Sequence, residues 1–219
     1  MANLRFLPVT AVLLLAALLS CRTPSQRAAR FESLACAADL GACVEHLVEA
    51  HGGVDAHRRW STERVHVRDA WDVVVPAFAV PRTARPAADA LDVPRHGGPL
   101  PAGPDGDVAF LLALPHSIAA EGARVTGAEA GSWHGAAVLS LQVQWGDGRR
   151  ASVHFHPSTF QMLGATLRQD SGVRWADAVV KQWNTVGGLH LPTRYELELM
   201  PLHARYRVVD VLDVQLRRQ

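Results

Sequence analysis

The chain is predicted to be an α+β protein: a curved antiparallel sheet forming an unclosed half-barrel, its concave face partly covered by an N-terminal helix and a short helix. Three observations carry this expectation. Apolar and polar residues alternate with period two along several segments, as they do in antiparallel strands with one dry and one wet face. Turn signals separate those segments at the spacing of a meander. One amphipathic helix stripe precedes them.

In chain order, Arg5 is followed by an apolar run from Val9 to Leu19, broken only by Thr10, and then by Ser20-Cys21. This is the layout of a secretory signal over residues 1–20. The run is shorter than the about 20 apolar residues that span a bilayer. Leu18-Leu19-Ser20-Cys21 resembles the bacterial lipobox, which implies acylation at Cys21. Residues 21–30 read as lipidated Cys and polar tether, and 31–219 as one domain with a Pro-rich insertion at about 76–107.

The full chain carries 22 Lys+Arg against 21 Asp+Glu. Loss of residues 1–20 removes only Arg5, so the mature chain is neutral. Without a basic excess there is no electrostatic hold on nucleic acid or anionic lipid. The membrane partner is reached through acyl chains on Cys21, at about 0.8 kcal/mol per buried CH₂.

Cys36 and Cys43 remain as an even pair in an oxidising compartment. On one continuous helix they would lie about 10.5 Å apart along the axis, whereas a disulfide needs Cα atoms within about 7 Å. A bridge therefore requires a turn near Asp39-Leu40-Gly41; the alternative is two buried thiols. No Cys-x-x-Cys occurs, which argues against zinc.

Leu40, Cys43, Val44, Leu47 and Val48 form the helix stripe, with Asp39 as N-cap and Gly52-Gly53 beyond its end. A short second helix, Val54 to about Thr62, carries Trp60. The first strand places Val65, Val67, Trp71, Val73 and Val75 on one face, with Asp69 as an exception. The insertion follows, with seven prolines between Pro76 and Pro104; loops this long are uncommon and usually functional or disordered. Val108–Leu114 reads as a short helix. Further strands contribute Leu139, Leu141 and Val143; Val153 and Phe155; Leu163, Ala165 and Leu167; Tyr195, Leu197 and Leu199; and Tyr206, Val208, Leu212, Val214 and Leu216, with Asp210 interrupting. Asp69 and Asp210 each face an Arg or a polar spot, or turn outward at a bulge.

So much one-faced strand surface needs a cover, and the two helices supply few residues for it. The expectation is a partly empty concave face open to an apolar ligand. Its candidate lining is Val67, Trp71, Val73, Phe110, Leu139, Leu141, Val143, Phe155, Leu197 and Tyr206.

Three segments, Ala50-His51-Gly52-Gly53-Val54-Asp55-Ala56-His57-Arg58-Arg59-Trp60, Val153-His154-Phe155-His156-Pro157-Ser158-Thr159 and Gln182-Trp183-Asn184-Thr185-Val186-Gly187-Gly188-Leu189-His190-Leu191-Pro192-Thr193-Arg194, resemble, in order and spacing, those of LolA-like and LolB-like periplasmic lipoprotein carriers. In the second, His156 stands where Asp is usual. The resemblance implies an open antiparallel barrel wrapped on a helical plug, with acyl chains, lipoproteins or other hydrophobic molecules as ligands. Arg22 after Cys21 implies sorting to the outer membrane, facing the periplasm. The insertion matches no element of that family, and the classical carrier is soluble.

Catalytic signatures are lacking: there is no G-x-S-x-G, no phosphate loop, no dinucleotide fingerprint and no H-E-x-x-H. His154 and His156 read as a solvated outer face rather than a metal pair, and His46, His51 and His57 as surface histidines. Trp71, Trp145, Trp175 and Trp183 read as core. The expected function is a lipid-anchored, non-enzymatic binding protein without cofactor or metal. The alternatives are a filled-core lipoprotein that docks a partner through residues 76–107 and, remotely, a His-dependent metallohydrolase.

Overall fold

The computed structural model describes residues 24–53, 55–56, 60–71, 104–119, 122–168, 174–200 and 204–218. The expectations for the signal segment, Cys21, Val73 and residues 76–103 lie outside the described residues, as does the side chain of Trp71. The elements are α1 (Pro24–Ala38), α2 (Leu40–Ala50), β1 (Trp60–Trp71), α3 (Pro104–Ser117), β2 (Arg124–Trp133), β3 (Ala136–Gln144), β4 (Arg150–Phe155), β5 (Met162–Arg168), β6 (Arg174–Val186), β7 (Leu189–Leu199) and β8 (Ala204–Arg218).

The strands form one antiparallel sheet in the order β1-β8-β7-β6-β5-β4-β3-β2. From β2 to β8 it is a plain meander, and β1 joins β8 rather than β2. Two edges therefore stay apart and the barrel is not closed. This is the open half-barrel that the alternation and the LolA-like motifs implied.

Alternation sorts the two faces. Leu139, Leu141 and Val143 face inward on β3, opposite Phe155, Val153 and Ala151 on β4. These join Cys43 and Leu47 of α2 and Phe110, Leu111 and Leu114 of α3 in one buried cluster. Helix α1 packs over β2 and β3. A helix interruption at Asp39 turns the chain between α1 and α2; the Asp39 carboxylate accepts from the Ala42 N–H at 3.0 Å as an N-cap. The turn brings the Cα atoms of Cys36 and Cys43 to 4.9 Å, and a disulfide joins the two helices there.

Several elements depart from the sequence reading. The polar stretch read as a tether is helical from Pro24, and Ala29 is buried. Trp60 opens β1 instead of lying within a short helix that runs to about Thr62. The 108–114 helix extends over Pro104–Ser117, taking four residues from the insertion. Strand β2 was not foreseen: RVTGAEAGSW has small and polar residues where a half-buried strand shows large ones, because β2 is an edge. In β8, His66 pairs with Asp213 and Val67 with Val211, so Leu212 is an extra residue and is 53 % exposed. That bulge reverses the parity before it. Val209 pairs with Tyr195 and Arg207 with Leu197 on the inner face, instead of Tyr206 and Val208.

Candidate hydrophobic site on the concave face

The concave wall is apolar across the sheet, and α3 lies against it. Phe110, Leu111, Leu112, Leu114 and Ile118 are all buried. Consecutive helical positions point to different sides, so the described stretch of α3 from Phe110 to Leu114 buries apolar groups on more than one side, as buried helices do. Polar anchors hold it. The Tyr195 hydroxyl, buried on β7, donates to the Leu111 carbonyl. The Trp145 indole N–H donates to the Ser117 carbonyl at 3.3 Å. The Phe110 ring meets Trp145 edge-on at 4.9 Å, and the Arg149 guanidinium lies 4.4 Å above it. Burial in this apolar setting raises the Tyr195 hydroxyl well above its ordinary pKa, so it remains a donor.

Of the candidate lining, Val67, Phe110, Leu139, Leu141, Val143, Phe155 and Leu197 belong to the same buried cluster, and Tyr206 packs against it partly buried. None of the seven is more than 6 % exposed. The expected shortage of helical cover does not arise: α1 and the longer α3 add cover that the sequence reading did not count. Arg207 was missed. It is 1 % exposed and shares the inner face with Leu197, opposite Trp71 in register.

The three LolA-like segments, far apart in sequence, meet at His51. Its carbonyl accepts from the His190 N–H at 3.0 Å. Its ring nitrogen Nδ1 lies 2.6 Å from the Leu47 carbonyl, and Nε2 accepts from the Met162 N–H at 3.1 Å. Trp183 and Phe155 flank the ring, with centroids at 5.1 and 6.3 Å. Gly52 is needed beside it: its φ is +110°, and a Cβ there would stand 2.3 Å from the Gly188 carbonyl oxygen. His51 is thus a buried fastener, not a surface histidine. Desolvation lowers its pKa from 6.5 to about 4.

The convex face corrects a second histidine. His154 is 6 % exposed, its ring stacked 4.6 Å from that of Trp133. Its Nδ1 is 2.9 Å from the Ser140 hydroxyl and its Nε2 3.0 Å from the Thr166 hydroxyl. Thr166 donates to Asp177 at 2.8 Å, and the other Asp177 oxygen meets His134 Nε2 at 3.0 Å. Thr166 spends its proton on Asp177, so it accepts from His154 Nε2–H. This ladder crosses four strands and satisfies the fully buried Asp177. His156 instead caps its own turn, accepting from the Ser158 and Thr159 N–H groups. Asp210 faces outward and pairs with Arg194 at 3.3 Å. Among the described residues, no group of three or more His, Cys, Asp or Glu could hold a metal ion, and no helix is long and apolar enough to cross a membrane.

No protein-family profile and no curated protein matches the chain. Among solved structures, a putative outer membrane lipoprotein-sorting protein domain from Vibrio parahaemolyticus aligns at 12 % identity and TM-score 0.33, over 44 % of this chain and 41 % of that one. The chain thus spans about two-fifths of that protein's length. A LolA superfamily protein from Nitrosomonas europaea aligns at 13 % identity and TM-score 0.47, over 78 % of this chain and 92 % of that one. At these scores neither carries an argument about function; the fold rests on the sheet order and helical cover described above.

Proposed function

We propose that this chain is a lipid-anchored binding protein of the bacterial envelope. Acylated Cys21 holds it at the outer membrane, facing the periplasm. Its concave face takes an acyl chain, a lipoprotein's lipid or another hydrophobic molecule, and it performs no catalysis. One observation supports this most: the wall already lodges the apolar stretch Phe110–Leu114 of α3, held through a few polar anchors. Those five residues span about 7.5 Å of helix axis. A site that solvates such a helix with alkyl and aromatic groups offers the same contacts to a hydrocarbon chain. In this conformation the lining is buried beneath the helices, so binding requires the helical cover to yield.

The test is native mass spectrometry of the full-length protein extracted from membranes, with uptake of a fluorescent fatty acid by the delipidated protein. Co-purified lipid and saturable uptake are expected. A lipid-free extract that takes up no probe refutes the reading. It would leave the second one, a filled-core lipoprotein that docks a partner through residues 76–107, which the deep burial of the lining residues favours.

A further inference from the structure

The helical cover meets the sheet at three histidines from three different elements. His51 ends α2, His116 stands in the last turn of α3, and His190 lies on β7. The His51 ring centroid is 6.3 Å from each of the other two. His51 is fully buried and His116 is 3 % exposed. Trp183 stacks on His190 at 4.7 Å and tilts against His51. Among the described residues, the other groups that meet the His51 ring, the Leu47 carbonyl on α2, Phe155 on β4 and the Met162 N–H on β5, bring no charge. On α2 itself, Glu45, His46 and Glu49 are exposed.

We infer that this histidine cluster is an acid-operated latch: protonation of His51 releases the α2 and α3 cover and opens the concave face. The inference rests on the binding reading above and gives that site its regulation. Met162 N–H can only donate, so Nε2 of His51 must accept. Nδ1 therefore carries the proton and donates to the Leu47 carbonyl. The Leu47 carbonyl in the helix layer accepts from Nδ1–H in either protonation state, so it is the Met162 N–H in the sheet that requires the neutral ring. A second proton at Nε2 sets N–H against N–H and orphans the Met162 donor. It also places a cation in an apolar site faced by two more histidines.

The direction follows from burial, which holds the folded ring near pKa 4, below its unfolded 6.5. The latch is fully closed above pH 6.5 and weakens as pH falls towards 4, by up to roughly 300-fold in its closing equilibrium.

The experiment uses the full-length protein between pH 7.5 and 4.5. Hydrogen exchange reads the amides of α2, α3 and Met162, and cis-parinaric acid uptake reads the concave face. Expected are a more than tenfold loss of protection in α2, α3 and Met162, protection kept in β3, β6 and β7, and a matching rise in uptake. His51→Gln, which can accept and donate without charge, should be flat over this range; should it not fold, His116→Gln should weaken the response. Opening without uptake sustains the latch and overturns the binding reading. Exchange that is independent of pH, a full response in both variants, or simultaneous loss of protection in the strands overturns the latch.

Discussion

Replacing Gly52 with alanine tests the packing that joins the helix layer to the sheet. Gly52 has φ +110°, and its Cβ would lie 2.3 Å from the Gly188 carbonyl oxygen and 3.0 Å from Leu189 Cα. Both obstacles are backbone, so the two segments must part by about 1 Å to restore ordinary contact. That movement lengthens the 3.0 Å bond from His190 N–H to the His51 carbonyl. The strained φ costs about 1 kcal/mol or more. The lost buried hydrogen bond and displaced backbone add about 1–3 kcal/mol. The total is about 2–4 kcal/mol. Gly148→Ala is the control: its φ is +91°, but a Cβ there meets nothing within 4 Å. It should lose only the backbone part. Urea denaturation at pH 7.5 measures both variants. At about 2–4 °C per kcal/mol for a chain of this size, melting temperatures should differ by several degrees. Equal losses in the two variants would show that the Gly52–Gly188 approach is not tight and would refute the reasoning.

Other predictions rest on separate contacts. Tyr195→Phe removes the donor to the Leu111 carbonyl and should cost about 1–3 kcal/mol; an unchanged urea midpoint would mean that α3 is held by apolar contact alone. Asp177→Ala removes the acceptor of Thr166 and His134 and should destabilise by about 3 kcal/mol, read by chemical denaturation. Reduction of the Cys36–Cys43 disulfide, which closes a loop of sequence separation 7, should cost about 2 kcal/mol. Melting with and without reductant measures that cost, and it should vanish in the Cys36→Ser, Cys43→Ser double variant.

The strands were legible because alternation is local. Leu139-Ser140-Leu141-Gln142-Val143 announces its own two faces whatever lies over them. Strand β2 was not, since an edge of alanine, glycine and serine carries no such contrast. The histidines were misread for a different reason. His51 is buried by Phe155 and Trp183, more than a hundred residues away, and His154 by Trp133 from another strand. Nothing near either residue in sequence states that burial. The motif segments around His51 were recognisable separately, but their meeting point was not.

From its amino-acid order alone, this protein was settled as a one-sided antiparallel sheet preceded by a capped helix, because period and capping are properties of neighbours along the chain. Tertiary structure decided that residues of α2 and α3 are buried in one cluster with the concave wall, that Leu212 is bulged outward, and that His51 clamps helix to sheet in its neutral form. Those outcomes depend on which distant surfaces come into contact, and burial and protonation follow from contact rather than from sequence position.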